Sequence, residues 1–214
     1  MVRVFFPFRG RAALLIALAI LSLPSPARAG GGPLAQAGKS LAGQFLVATE
    51  DLRDPRFART VVYMVRHDAS GALGLIVNRP VQDVPLGPLL RRFGLDDRGV
   101  SGTIRLHYGG PVEPGRGFLL HTAEYATEGT ERVADDVAVT PLTARPVALG
   151  DIARGAGPRR VLFALGYAGW AVGQLEGEID NGAWITVPAD EALLFDDDAA
   201  RKWERAMARR RLTI

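Results

Sequence analysis

The chain has 214 residues, is 48% hydrophobic and 23% charged, and contains no cysteine. That is an ordinary globular balance, and it excludes a disulfide framework, a thiolate metal site and a cysteine nucleophile. The formal charge of +3 comes from the front end: residues 1–29 hold Arg3, Arg9, Arg11 and Arg28 and no acid, so the remainder carries 22 basic against 23 acidic residues. A near-neutral remainder lacks the basic footprint of a nucleic-acid binder, and no nucleic-acid partner is expected.

Taken in order, the chain opens with a basic stretch, an unbroken apolar run from Ala12 to Leu23, and small residues Ala27 and Ala29 in an A-x-A arrangement. That is the order of a secretory signal peptide over 1–29 cleaved after Ala29, and the run is shorter than the roughly 20 residues of a membrane span. Export, with membrane contact only through the leader, is the expectation; a mis-called start and a cytoplasmic protein is the alternative. Residues 30–40, "GGGPLAQAGKS", read as a flexible linker, leaving one domain over 41–214.

"QFLVA" (44–48) reads as a strand. "TVVYMVR" (60–66) and "ALGLIVN" (72–78) read as a hairpin joined by the rather long "HDASG". "LGPLLRRFGL" (86–95) is a short helix stopped at Gly94. "IRLHYGG" (104–110) and "GFLLHTA" (117–123) are strands around the turn-forming "GGPVEPGRG". "RVADDVAVT" (132–140) and "PVALG" (146–150) are weaker strands, and "RRVLFALG" (159–166) is a buried one. "AWITVP" (183–188) is a strand, and "DDDAARKWERAMARRR" (196–211) is a closing helix whose acids and arginines match the helix dipole. Many short strands without regular βαβ alternation indicate an α+β fold with mostly antiparallel pairing.

"GYAGWAVGQLEGEI" (166–179) has a helix-like pattern despite its glycines, each of which costs about 1 kcal/mol in a helix interior. At about 100° per residue, Ala168, Ala171, Val172, Leu175 and Ile179 form a core-facing stripe. Gly169, Gly173 and Gly177 form a bare row, with Trp170, Gln174 and Glu178 off the core face. The row reads in three ways: a seat for another backbone, a floor for a ligand touched by Trp170, Gln174 and Glu178, or a phosphate site at a helix start. The last lacks the spacing of a phosphate-binding loop.

Other chemistry-bearing residues are few. His67, His107 and His121 have spacings that demand no metal site. Ser40, Ser70 and Ser101 lie in no nucleophile elbow. The stretch Gly109, Gly110 to Arg116 completes the candidates, Arg116 as an anion contact or a structural tie. An enzyme, hydrolase-like, would draw on His67, His121, Arg116 or Glu178, and convergence of these side chains in one cleft is its test.

"LAGQFLVA", "DPRFARTVVYMVRHDASGALGLIVNRP", "YGGPVEPGRGFLLH" and "GYAGWAVGQLEGEIDNGAWITVPAD" resemble, in order and spacing, the AlgH/YqgE family of bacterial proteins, over Leu41 to Trp203. The resemblance implies one α+β domain with a partly barrel-like β core surrounded by helices, no known cofactor and no assigned catalysis. It also implies the label of transcriptional regulator, which no helix-turn-helix here supports, and a usual cytosolic location. The leader and "ATEDL", where the family has a small-residue and proline stretch, depart from the pattern. The combined expectation is a non-enzymatic binding or regulatory protein with an unidentified protein or small-molecule partner. Its candidate surface is His67, Asn78, Gly109, Gly110, Arg116, His121, Trp170, Gln174 and Glu178.

Overall fold

A computed structural model describes residues 40–142 and 146–210. The expected leader, and all but the last residue of the expected linker, lie outside the described residues. Among the described residues, ten strands form one curled sheet, a half-barrel in the order β10-β1-β2-β3-β9-β6-β8-β7, with β4 joined through β5 to β9. Every pairing is antiparallel except β5 with β9. The mixed α+β, single-domain expectation holds.

Strand β1, Gln44–Ala48, explains why "QFLVA" is apolar throughout. Phe45 and Val47 face the inner core with Tyr63, Phe118 and Leu162; Leu46 and Ala48 face an outer core with Met64, Trp170 and Trp184. Both faces are buried, so alternation is lost. Strands β2, Val61–Asp68, and β3, Gly71–Ile76, run further into their connection than their sequences indicate. Asp68 pairs with Gly71, which leaves a two-residue turn. The Asp68 carboxylate closes that turn by accepting the Ser70 N–H at 2.7 Å.

Strand β4, Pro80–Pro85, was not legible in "PVQDVP" and is an exposed edge strand. It leads into α1, Leu86–Arg92, then β5, Thr103–Tyr108, and β6, Val112–Thr122. The two-residue β7, Glu131–Arg132, pairs with β8, Val137–Pro141. "PVALG" belongs to a helix, α2, Val147–Ala153. Its Ala148 and Leu149 bury against Leu86, Leu90 and Phe163 in a third cluster, and that packing overrides the weak strand reading.

The largest correction concerns 166–179. Strand β9 spans Val161–Trp170, and only Gln174–Asp180 is helical, as α3. The first half of β9 lies between β5 and β6; its last residues, Ala168–Trp170, pair with β3. To change neighbours it bends at Gly166, φ +70°. There the chain passes Gly109–Gly110 so closely that a Cβ on Gly110 would sit 2.1 Å from the Tyr167 carbonyl carbon, and one on Gly166 2.3 Å from the Gly110 oxygen. Because side chains alternate in a strand, Ala168 and Trp170 share the face that packs in the outer core, although the helical wheel separates them. Trp170 is 7% exposed and packs in the outer core. Val172, placed on the core stripe by the wheel, is 70% exposed.

Strand β10, Trp184–Pro188, follows α3, then α4, Glu191–Leu194, and α5, Ala199–Arg209. The closing helix begins at Ala199, after the expected aspartates, and the last of them caps it: the Asp198 carboxylate accepts the Arg201 N–H at 3.2 Å.

Candidate functional site

The residues around α3 come from four elements brought side by side. In register, His67 of β2 lies opposite Ala72 of β3, and Ala72 opposite Trp170 of β9. All three therefore face the same side of the sheet, the side α3 covers. Gly173 starts α3 in the left-handed conformation, and the Gln174 side-chain oxygen accepts the Ala171 N–H at 3.1 Å. Leu175 anchors the helix in the outer core.

One carboxylate organises the polar contacts. Glu178 Oε2 accepts the Trp170 indole N–H at 2.9 Å and the Trp184 indole N–H at 2.8 Å; Oε1 accepts from Gln174 Nε2 at 2.9 Å. Donors on an ionised acceptor make strong bonds, so this clamp fixes α3 on the two indoles. The rings continue the order: Trp170 meets Trp184 edge-on at 5.9 Å, and Trp184 meets Phe57 at 5.6 Å. On the other side of α3, Glu176 Oε1 lies 2.8 Å from His67 Nε2. The Glu176 carboxyl is held below the usual range by its own backbone N–H and by the His67 ring.

Above this clamp the surface is bare. A Cβ on Gly173 or on Gly177 would meet nothing within 4 Å, and Val172 projects beside them. The seat-for-backbone reading thus applies to Gly166 against Gly109–Gly110, not to Gly173 and Gly177. Gly169 belongs to the strand, so the three glycines do not form one row.

Four of the nine candidate residues, His67, Trp170, Gln174 and Glu178, are gathered at α3; the other five are elsewhere. Asn78 is a clamp: its amide donates to the Arg59 carbonyl at 2.9 Å and its oxygen accepts the Val61 N–H at 2.9 Å. Gly109 and Gly110 serve the β9 crossing. Arg116 lies over Phe118, 5.1 Å to the ring centroid, and bonds Glu113 at 3.4 Å, while Glu113 also takes the Tyr167 hydroxyl at 3.0 Å. That is the structural tie rather than an open anion contact. His121 is fully buried, with Nδ1 at 3.0 Å from the Thr122 carbonyl and Nε2 at 2.8 Å from the Thr140 hydroxyl; burial pushes its pKa down.

The side chains named for hydrolysis therefore do not converge in one cleft. His67 and Glu178 are engaged at α3, Arg116 on the β6 ledge, and His121 inside the core. Ser40 comes near His67, but its hydroxyl donates to the His67 carbonyl at 2.8 Å, and both ring nitrogens are already bonded.

Sequence reasoning missed Lys202 and weighed His107 only as a metal ligand. Lys202 is 1% exposed, and its ammonium donates to the Val77 and Leu194 carbonyls at 3.1 and 2.8 Å. Burial lowers its pKa to about 8. His107 is buried with Nδ1 unpartnered among the described residues, and burial, then the Lys202 charge, lowers its pKa to about 4. The lysine sits in a run of six basic residues that reads as a solvated face, so its burial has no signal in the sequence. The other basic side chains of α5 are paired: Arg201 with Asp198, Arg205 with Asp196 and Arg209 with Asp190.

The sequence profile of a family described as AlgH-like matches residues 45–214. A UPF0301 protein of Rhodospirillum rubrum is 44% identical over 169 residues, covering 79% of this chain and 86% of that protein. A UPF0301 protein of Methylococcus capsulatus is 46% identical over 165 residues, 77% and 88% of the two chains. The solution structure of AlgH from Pseudomonas aeruginosa superposes with a TM-score of 0.65 at 35% identity, covering 87% of this chain and 94% of that one. This chain belongs to the AlgH-like family.

Proposed function

We propose that this chain is a non-enzymatic binding or regulatory protein that receives a protein or small-molecule partner on the exposed ridge of α3. The observation that carries this reading is the contrast within 170–178. The Glu178 carboxylate holds the helix on two buried indoles, while Val172, Gly173 and Gly177 above it face open space. A rigid platform with little side-chain cover loses little conformational entropy on binding and lets a partner's backbone or ring approach closely. The pairing of the α5 arginines with aspartates supports a partner other than nucleic acid.

The test is amide chemical-shift mapping of labelled protein titrated with fractionated extract of the producing cells. Shifts are expected to cluster at Val172, Gly173, Gln174 and Gly177. Gly177→Gln, which puts a side chain on the ridge without touching the clamp, should abolish them while the melting temperature stays level or rises. Shifts centred elsewhere, or full retention by Gly177→Gln, overturn the assignment. The leader-like front end further supports a role outside the cytoplasm; mass spectrometry of the native N-terminus checks it, with a chain starting at Gly30 the expected result.

A further inference from the structure

The ring of His67 joins three segments. The Leu41 backbone N–H donates to Nδ1 at 3.1 Å, and Nε2 lies 2.8 Å from Glu176 on α3. The Ser40 hydroxyl, which accepts the Ala42 N–H at 3.3 Å, donates to the His67 carbonyl at 2.8 Å. These partners fix where the ring carries its hydrogen. A backbone N–H only donates, so Nδ1 must present a lone pair; an ionised carboxylate only accepts, so Nε2 must carry the hydrogen. The ring in this arrangement is neutral, and both nitrogens are used.

Protonation acts oppositely on the two sides. A proton added at Nδ1 faces the Leu41 N–H with a second donor, and that bond is lost. On the other side, Nε2–H and Glu176 become an ion pair with a charge-assisted bond, which tightens. We propose that His67 is a pH-operated latch: its neutral ring holds the Leu41 amide against β2, and its protonated ring frees that amide while keeping α3 docked. The charged groups around the ring are Glu176 on α3 and Asp68 on β2, the latter 3.6 Å from Arg66; Ala72 and Trp170 on β3 and β9 bring none, and the 40–42 segment brings a hydroxyl. The Ser40 hydroxyl stays on the His67 carbonyl, the Leu41 carbonyl still accepts the Gln44 N–H at 3.0 Å and Leu41 packs on the outer core, so the latch acts on the Leu41 amide alone. This inference is independent of what binds on the α3 ridge.

Nitrogen NMR of the His67 ring, with hydrogen exchange of the Leu41 amide followed across its titration and referenced to intrinsic chemical exchange, tests it. The expected ring at high pH is the Nε2–H tautomer. Leu41 protection should fall by about tenfold on protonation, the size of one net hydrogen bond, while the Gly177 amide of α3 and the Asn181 amide just past its end hold. His67→Gln, whose oxygen accepts from Leu41 without titrating, should remove the pH dependence. His67→Ala should leave Leu41 unprotected at every pH. An Nδ1–H tautomer in the wild type, or Leu41 protection that ignores the charge of His67, overturns the latch.

Discussion

Helices α3 and α5 cover opposite faces of the same strands, and they bury polar groups in opposite ways. Under α3, donors and acceptors satisfy one another: one carboxylate takes two indole N–H groups and an amide. Under α5, an ammonium is buried against two backbone carbonyls, and the Nδ1 of nearby His107 has no partner among the described residues. The first arrangement is closed electrostatically and can be thinly covered. The second stores a desolvation cost that only deep packing offsets, and Trp203 supplies part of that packing, its indole N–H donating to the Ala48 carbonyl at 2.8 Å. The difference indicates that α5 is part of the stability core, whereas α3 is a fixed but lightly buried platform.

The largest expected break falls on the α5 side. Lys202→Ala leaves two carbonyls without their donor and removes a buried stem, for a loss of about 3 kcal/mol. Urea denaturation measures it; a loss under about 1 kcal/mol removes Lys202 from the stability core. Glu178→Ala strikes the α3 clamp instead. It orphans two indole N–H groups at the margin of the outer core, and about 2 kcal/mol is expected. Trp170 and Trp184 share that carboxylate, so their fluorescence should change together, and a variant whose emission matches wild type argues against the shared bond.

The two sides should also separate by pH. Burial, and next the Lys202 charge, lower the His107 pKa to about 4 in the folded chain, from an ordinary histidine value of 6.5. Above pH 6.5 neither state binds the proton and the full stability is present; between 6.5 and 4 only the unfolded chain takes it up. Stability should therefore fall with acid across that window, by about 1.4 kcal/mol per pH unit at most. His121, lowered by burial in the same direction, adds to the slope. Denaturation of His107→Leu at pH 7 and pH 5 isolates the share of His107: the drop between the two should shrink. An unchanged drop would show that His107 already exchanges protons in the folded state.

How much was legible follows from where local pattern and tertiary demand agreed. Strand β1, the β2–β3 hairpin and α5 announce themselves, because burial on both faces of β1 and the Asp198 cap act on a few consecutive residues. The segment 166–179 did not. Leu175 and Ile179 do lie on α3, but Ala168 fits the same helical period by coincidence, since the strand conformation of 166–170 is imposed by β3, β6 and the Gly109–Gly110 backbone, all distant in sequence. Of the candidate site, His67, Trp170, Gln174 and Glu178 were visible as unusual residues near glycines. Trp184, the second indole on Glu178, was read only as part of a strand, since nothing local marks it as a partner. The burial of Lys202 was hidden for the same reason: its carbonyl acceptors belong to Val77 and Leu194.

The smallest expected effect sharpens the comparison most, because its sign differs from the rest. Gly177 lies in α3 without a positive φ, and a Cβ there meets nothing within 4 Å. Glycine in a helix interior is less favourable than alanine by about 0.8–1 kcal/mol, and α3 is short, so Gly177→Ala should raise stability by about 0.5–1 kcal/mol. Gly110→Ala offers the contrast, since its Cβ would overlap the Tyr167 carbonyl at a positive φ and must destabilise. A glycine kept for packing punishes its replacement, whereas a glycine kept for what docks on it rewards replacement in stability and loses binding. Thermal denaturation of Gly177→Ala decides between these. A rise in the melting temperature leaves the bare ridge without a folding role and favours a binding one; a fall would show that the chain needs this glycine for its own structure, and the platform reading of α3 would go with it.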